Sequence, residues 1–142
     1  MTTTLNKTFD HIGLAVRDLD PAVQMYIDVM GATLLDRYTS DQPGVEVHVA
    51  AVELGGLHME IMQPTNKQSP MNQFLRLRGK GVHHIAYRVP DLNQAIEEGK
   101  NEGIRFLEHT YRTNKRGRRL IYLNPASTEG TLIEWCDYPT QD

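Results

Sequence analysis

Apolar and polar positions alternate in "HIGLAV" (His11–Val16) and again in "HIAYRV" (His84–Val89), the two-residue period of a half-buried strand. Each is followed by a run of helical spacing. In "DLDPAVQMYIDVMG" the expected N-cap is Asp18 or Asp20, with Pro21 as the first helical residue and Gly31 as the stop. In "DLNQAIEEGKNEG" those places fall to Asp91 or Asn93 and to Gly103. "ATLLDRYT", "GVEVHVAAVEL" and "LHMEIMQ" then read as strands, and later so do "IRFLEH", "RRLIYLN" and "TLIEWCD". The predicted order is therefore β-α-β-β-β, written twice. Between the copies, "SPMNQFLRLRG" predicts a short helix over residues 69–79, with Ser69 as cap, Pro70 first, and Phe74, Leu75 and Leu77 as its apolar stripe.

The two copies align residue by residue. An offset of 73 pairs His11 with His84, Ile12 with Ile85, Val16 with Val89, Asp18 with Asp91 and Ala22 with Ala95. Slipped by one, it pairs "LHMEIMQP" with "TLIEWCDYP" and so sets Glu60 opposite Glu134. A single duplication predicts two homologous modules, 8–64 and 82–138, within one domain over residues 1–142, and not a solenoid, which needs three or more repeats. The fold class expected is α+β, with two βαβββ modules forming a curled mixed sheet around a common site.

Alternation also sorts the faces. Ile12, Leu14 and Val16 should pack on the helix, leaving His11, Gly13 and Ala15 on the other face. In the copy, Ile85, Tyr87 and Val89 face the helix, and His84, Ala86 and Arg88 face away. Glu60 and Glu134 share the non-helix face of their strands. A lone strand histidine is more often a hydrogen-bonded core residue than a ligand. Four ligand-type residues at homologous places, His11, Glu60, His84 and Glu134, are instead expected to hold one metal. Imidazole nitrogen with carboxylate oxygen suits Co²⁺, Mn²⁺, Ni²⁺, Fe²⁺ or Zn²⁺. Four protein donors leave room in an octahedral shell for water or substrate, as Lewis-acid chemistry requires. His83 falls on the opposite face and is read as structural.

Composition narrows the partners. The 142 residues carry a net charge of −3, with 39% hydrophobic and 23% charged positions, ordinary for a soluble globular chain and unfavourable for nucleic-acid binding. The polar start "MTTTLNKT" has no signal-like apolar region, and no apolar run approaches a membrane span. Cys136 is the only cysteine, so no intramolecular disulfide can form; the expected compartment is the cytoplasm. Cys136 itself reads as a small buried filler. Against the acidic background, Arg112, Lys115, Arg116, Arg118 and Arg119 crowd one loop-to-strand segment, either a solvated loop or an anion-binding one.

"DHIGLAV", "MEIMQP", "SPMNQFLRLRGKGVHHIAYRV" and "NPASTEGTLIEW" resemble the vicinal oxygen chelate superfamily, which includes glyoxalase I, extradiol dioxygenases and bleomycin-resistance proteins. The similarity is greatest to its methylmalonyl-CoA epimerase branch and spans most of the chain. It implies paired βαβββ modules, a homodimer, an acyl-CoA substrate, and metal positions at His11, Glu60, His84 and Glu134. The implied reaction is epimerisation at C2 of methylmalonyl-CoA or a similar acyl-CoA by proton removal to an enolate. Glu134 is the candidate base near the metal. Glu46, expected to point with His48 from "GVEVHVA" toward the site, is the candidate opposing base; a solvated edge-strand glutamate is the competing reading. Arg116 and Arg118 are candidates for the CoA phosphates, and Arg88 for a substrate carboxylate or a ligand glutamate. Ser127 lies in the segment that borders the acyl site in that family. Two segments depart from the branch: Asn124-Pro125-Ala126-Ser127 stands where many members read His-Pro-Lys-Ser, and "TNKRGRR" replaces a Gly-Ala-His-Gly-like turn. Other readings are a glyoxalase-like isomerase or lyase on another thiol adduct or small oxyanion, an extradiol dioxygenase, and a metal-free binding protein.

Overall fold

The computed structural model describes residues 6–139. By its contacts the chain divides into two compact units, His11–His83, and the described residues of Met1–Asp10 with His84–Asp142. Each carries one copy of the repeat.

In the first module, β1 (Thr8–Ala15) leads into α1 (Leu19–Asp28), β2 (Thr33–Ser40), β3 (Val47–Leu54) and β4 (Leu57–Pro64), followed by α2 (Met71–Arg78). The strands lie in the order β2-β3-β4-β1. β1 and β4 are parallel, with Gly13 opposite Glu60, and the other neighbours are antiparallel. Gly55 and Gly56, at φ 59° and 85°, make the two-residue turn between β3 and β4, a conformation that needs left-handed backbone at both positions.

The second module repeats this with β5 (Gly81–Arg88), α3 (Leu92–Asn101), β6 (Phe106–Thr113), β7 (Arg119–Leu123) and β8 (Ile133–Asp137), ordered β5-β8-β7-β6. β5 and β8 are parallel, with Ala86 opposite Glu134. The slip of one in the repeat is the net of two changes, since His84 to Tyr122 spans two residues fewer than His11 to Ala51 and the next connection spans three more. Ala51 pairs with Glu60 nine residues on, whereas Tyr122 pairs with Glu134 twelve residues on. The extra three residues are taken up by a 3₁₀ turn at Pro125–Ser127. The pairing partners are conserved between modules while the connection is not.

Helix faces fall where alternation places them. Leu14 packs with Leu19, Val23, Ala50, Val52 and Ile61, with Ile12 and Val16 beside them. Val89 packs with Leu92, Ala95, Phe106, Ile121 and Trp135, with Tyr87 and Ile133 beside them. The opposite face of the first sheet is partly covered as well. Ala15, Val47, Val49 and Met62 pack under Met71 and Leu75 of α2.

The helix starts match the expected ones in part. Asp18 precedes α1 but its side chain caps nothing, and Pro21 is the third helical residue. Gln63 Oε1 accepts the Leu19 N–H at 2.8 Å, which supplies the acceptor that the cap would have and lets the helix begin earlier. Asp91 does cap α3, accepting the Gln94 N–H at 3.1 Å. Ser69 does not cap α2; its hydroxyl donates to the Val45 carbonyl at 2.8 Å. Leu77 is 75% exposed, because α2 turns Met71 and Leu75, four apart, onto the sheet. No helix among the described residues is long and apolar enough to cross a membrane.

Candidate metal centre

The parallel pairs β1–β4 and β5–β8 each carry a histidine and a glutamate on the face away from the helix. His11 Nε2 lies 3.7 Å from Glu60 Oε1, with the histidine buried and the glutamate side chain 14% exposed. His84 Nε2 lies 3.3 Å from Glu134 Oε1, and both are buried. The room for these side chains comes from small neighbours, Gly13, Ala15 and Ala86. His84 and Glu134, both buried within the second unit, are of the residue types that could hold a metal ion.

The His84–Glu134 pair fits such an ion, whereas the 3.7 Å of His11–Glu60 is wider. Two donors each about 2.1 Å from one metal are roughly 3.0 Å apart at a right angle and 3.4 Å apart at a tetrahedral angle. The 3.3 Å separation in the His84–Glu134 pair falls in that span and is longer than a well-made hydrogen bond. Charge points the same way. In the second unit two carboxylates, Asp10 and Glu134, surround one guanidinium, Arg118, and buried charge is costly unless compensated. A divalent cation would supply the balance.

Arg118 is 7% exposed and does not extend into solvent as a loop cation would. Its Nε lies 3.5 Å from Glu134 Oε2 and its Nη1 3.8 Å from Asp10 Oδ2. Tyr138 donates its hydroxyl to Asp10 at 2.8 and 3.0 Å, and burial holds that phenol protonated well above its ordinary range. Tyr122 places its hydroxyl 3.5 Å from His84 Nδ1 and its ring edge-on to the imidazole. Asp10, Tyr122 and Tyr138 did not stand out in the sequence: Asp10 and Tyr138 lie 128 positions apart, and no local pattern links them.

Glu46 departs from the strand position expected for it. It precedes β3 in a turn, at φ 44°, a left-handed backbone that a non-glycine residue adopts at a cost. It stands five residues before Ala51, as Gly117, at φ 86°, stands five before Tyr122. Thr65 N–H donates to its carbonyl at 2.9 Å. Its Oε1 is buried with no hydrogen-bond partner among the described residues, an arrangement that folding alone would not favour. Alternation holds through this stretch, but on the other face from the one expected: Val45, Val47 and Val49 pack with Ala15, and His48 turns the other way. His48 Nδ1 bonds Thr39 Oγ1 at 2.7 Å and lines a cleft with Asp18, Asp20, Arg37 and Gln63 beside the start of α1.

The remaining candidates are dispersed. Arg88 is exposed, its guanidinium 4.7 Å from the Tyr138 ring centroid; the arginine that meets Glu134 is Arg118. Arg119 is bonded to Asp137 at 2.9 and 2.5 Å. Lys115 and Arg116 are exposed in the turn whose Asn114 Oδ1 accepts the N–H groups of Arg116 and Arg118. Ser127 Oγ accepts the Arg105 N–H at 2.9 Å. Cys136 is buried, with its thiol toward the Tyr87 carbonyl. His83 packs edge-on against Phe74, and burial lowers its pKa to about 4, so it is neutral near pH 7.

Known proteins are similar to this chain in sequence and, among solved structures, in fold. "Uncharacterized protein YqjC" of Bacillus subtilis is 29% identical over 128 residues, covering 90% of each chain. Human mitochondrial methylmalonyl-CoA epimerase is 32% identical over 126 residues, 88% of this chain and 70% of that one. Among solved structures, hypothetical protein BH1468 of Bacillus halodurans superposes with a TM-score of 0.87 at 30% identity, over 96% of this chain and 97% of its own. A variant of Streptomyces coelicolor methylmalonyl-CoA epimerase in complex with 2-nitronate-propionyl-CoA superposes at 0.85 and 27% identity, over 95% and 96%. These likenesses support the two βαβββ modules that the sequence implies. The profile of the "Glyoxalase/Bleomycin resistance protein/Dioxygenase superfamily" matches residues 10–122, and the chain belongs to that family.

Proposed function

We propose that this protein is a divalent-metal-dependent epimerase that inverts C2 of methylmalonyl-CoA or a similar acyl-CoA. The observation that carries the reading is the repeated imidazole–carboxylate pair, His11 with Glu60 and His84 with Glu134, which together would hold the metal. The likeness to methylmalonyl-CoA epimerases supports the substrate class. When bound, the ion would supply Lewis acidity toward the thioester and carboxylate oxygens. The chain's own groups do the rest. Inversion needs a base on each side of C2, one to remove the proton and one to return it to the opposite face. Glu46, whose buried oxygen lacks a partner and whose backbone is strained, is the first; Glu134 is the candidate for the second. Exposed Lys115 and Arg116 are candidates for the CoA phosphates, and the same reading includes a homodimer in solution.

The test is proton exchange. With Co²⁺ in D₂O the protein should place deuterium at C2 of methylmalonyl-CoA, and His84→Ala should abolish this. No exchange by the wild type, with Co²⁺ bound, sinks the epimerase assignment. A glyoxalase-like isomerase or lyase on another thiol adduct is the second reading, favoured by the altered "TNKRGRR" and Asn124–Ser127 segments. It is tested by turnover of glutathione hemithioacetals under the same conditions.

A further inference from the structure

We propose that Arg118 is a positioning residue for Glu134: it holds Oε2 of that carboxylate so that Oε1 alone is presented beside His84, and Asp10 with Tyr138 holds Arg118 in turn. The inference rests on the metal-centre reading above. Glu134 is divided between two partners, with Oε1 3.3 Å from His84 Nε2 and Oε2 3.5 Å from Arg118 Nε. A guanidinium cannot shed its charge, and its planar fork fixes direction as well as attraction. Arg118 is itself tethered at both ends. Its backbone N–H donates to Asn114 Oδ1 at 3.0 Å, at the close of the turn that Gly117 permits. Its Nη1 faces Asp10 Oδ2 at 3.8 Å and donates to the Tyr138 hydroxyl at 3.5 Å, while that hydroxyl donates to Asp10.

The first module is built differently. Arg118 stands four residues before Tyr122, the partner of Glu134; the residue four before Ala51, the partner of Glu60, is Val47, an apolar core residue. Glu134 is thus the ligand restrained by a buried arginine, and Glu60, 14% exposed, sits where substrate and water have access. A carboxylate held by one oxygen binds a metal through the other, and groups of this kind are worth about 10- to 100-fold in metal affinity.

The test is Co²⁺ titration of wild type, Arg118→Gln, Arg118→Lys and Tyr138→Phe, read by competition and by the visible Co²⁺ spectrum. Circular dichroism of the metal-free proteins checks the fold, and deuterium exchange gives kcat and KM. Arg118→Gln should weaken Co²⁺ by about 10-fold or more and alter the spectrum, Arg118→Lys should recover part of the loss, and KM should change little. Tyr138→Phe, which deletes one hydroxyl, should weaken Co²⁺ by a few-fold and decides the matter if Arg118→Gln does not fold. Wild-type Co²⁺ affinity and spectrum in folded Arg118→Gln, or in Tyr138→Phe in its stead, overturns the proposal. So does a raised KM with unchanged metal affinity, the mark of a phosphate-binding arginine. A wild type that takes up no divalent ion instead removes the metal-centre reading on which the proposal stands.

Discussion

Asp137 Oδ2 accepts the backbone N–H of Leu92, the first residue of α3, at 2.8 Å. Gln63, three residues past Glu60 as Asp137 is three past Glu134, accepts that of Leu19 at the same distance. The strand that brings each glutamate to the site therefore also sets where its helix begins. Asp137 has a second task, the pair of bonds from Arg119. Asp137→Ala strips partners from a buried N–H and a half-buried guanidinium and should lower stability by about 2–4 kcal/mol, against about 1–2 kcal/mol for Gln63→Ala. Urea unfolding measures both. Equal losses would mean that the Arg119 clamp contributes nothing.

Glu46 offers an unusual opposition of stability and activity. Glycine at φ 44° escapes the left-handed cost, and the buried unpartnered oxygen disappears with the side chain. Glu46→Gly should gain roughly 1 kcal/mol of stability and lose about a hundredfold or more of the C2 exchange rate. A variant that is less stable yet exchanges normally would show that Glu46 is a structural residue.

Gly99 lies on the buried side of α3, where an added Cβ would stand 3.0 Å from Phe106 Cζ and 3.3 Å from Trp135 Cζ3. Those rings are packed edge-to-face, 5.5 Å between centroids, so neither can retreat freely. Gly99→Val should cost about 1–3 kcal/mol despite removing a helix glycine, and thermal unfolding should show it. A stabilised valine variant would mean the rings move readily.

His83 should leave its mark on the pH dependence of folding. Burial lowers its folded pKa to about 4, against about 6.5 unfolded. Above pH 6.5 both states are neutral there and its contribution is complete. As pH falls from 6.5 toward 4 the unfolded chain takes up a proton that the folded chain refuses, so stability is lost across that window. His83→Phe keeps the packing on Phe74 and removes this slope. The drop in urea midpoint between pH 7 and pH 5 should be smaller in the variant than in the wild type; an unchanged drop assigns the slope to other groups.

What the sequence determined by itself is the part governed by local periods. Two-residue alternation assigned His84 rather than His83 as the counterpart of His11, because a strand's faces depend only on the parity of positions. The duplication then carried Glu60 to Glu134 across a slip of one, since strand pairing tolerates connections of different length: two residues fewer before Tyr122 and three more after it, where the 3₁₀ turn at Pro125–Ser127 lies. Parity held along Val45, Val47 and Val49 but did not say which face they take: the three pack with Ala15 under α2, and His48 falls beside the start of α1. At α1 the acceptor that a local cap would have supplied comes from Gln63, a remote side chain, whereas Asp91 caps α3 locally. Tertiary structure alone decided the fate of the basic cluster. Arg118 and Arg119 are indistinguishable from Arg116 in a one-dimensional charge count, yet they are drawn inward by Glu134, Asp10 and Asp137 while Arg116 stays in solvent. The physical reason is that a buried charge is tolerated only where its partners converge, and those partners are brought together by the sheet rather than by proximity along the chain.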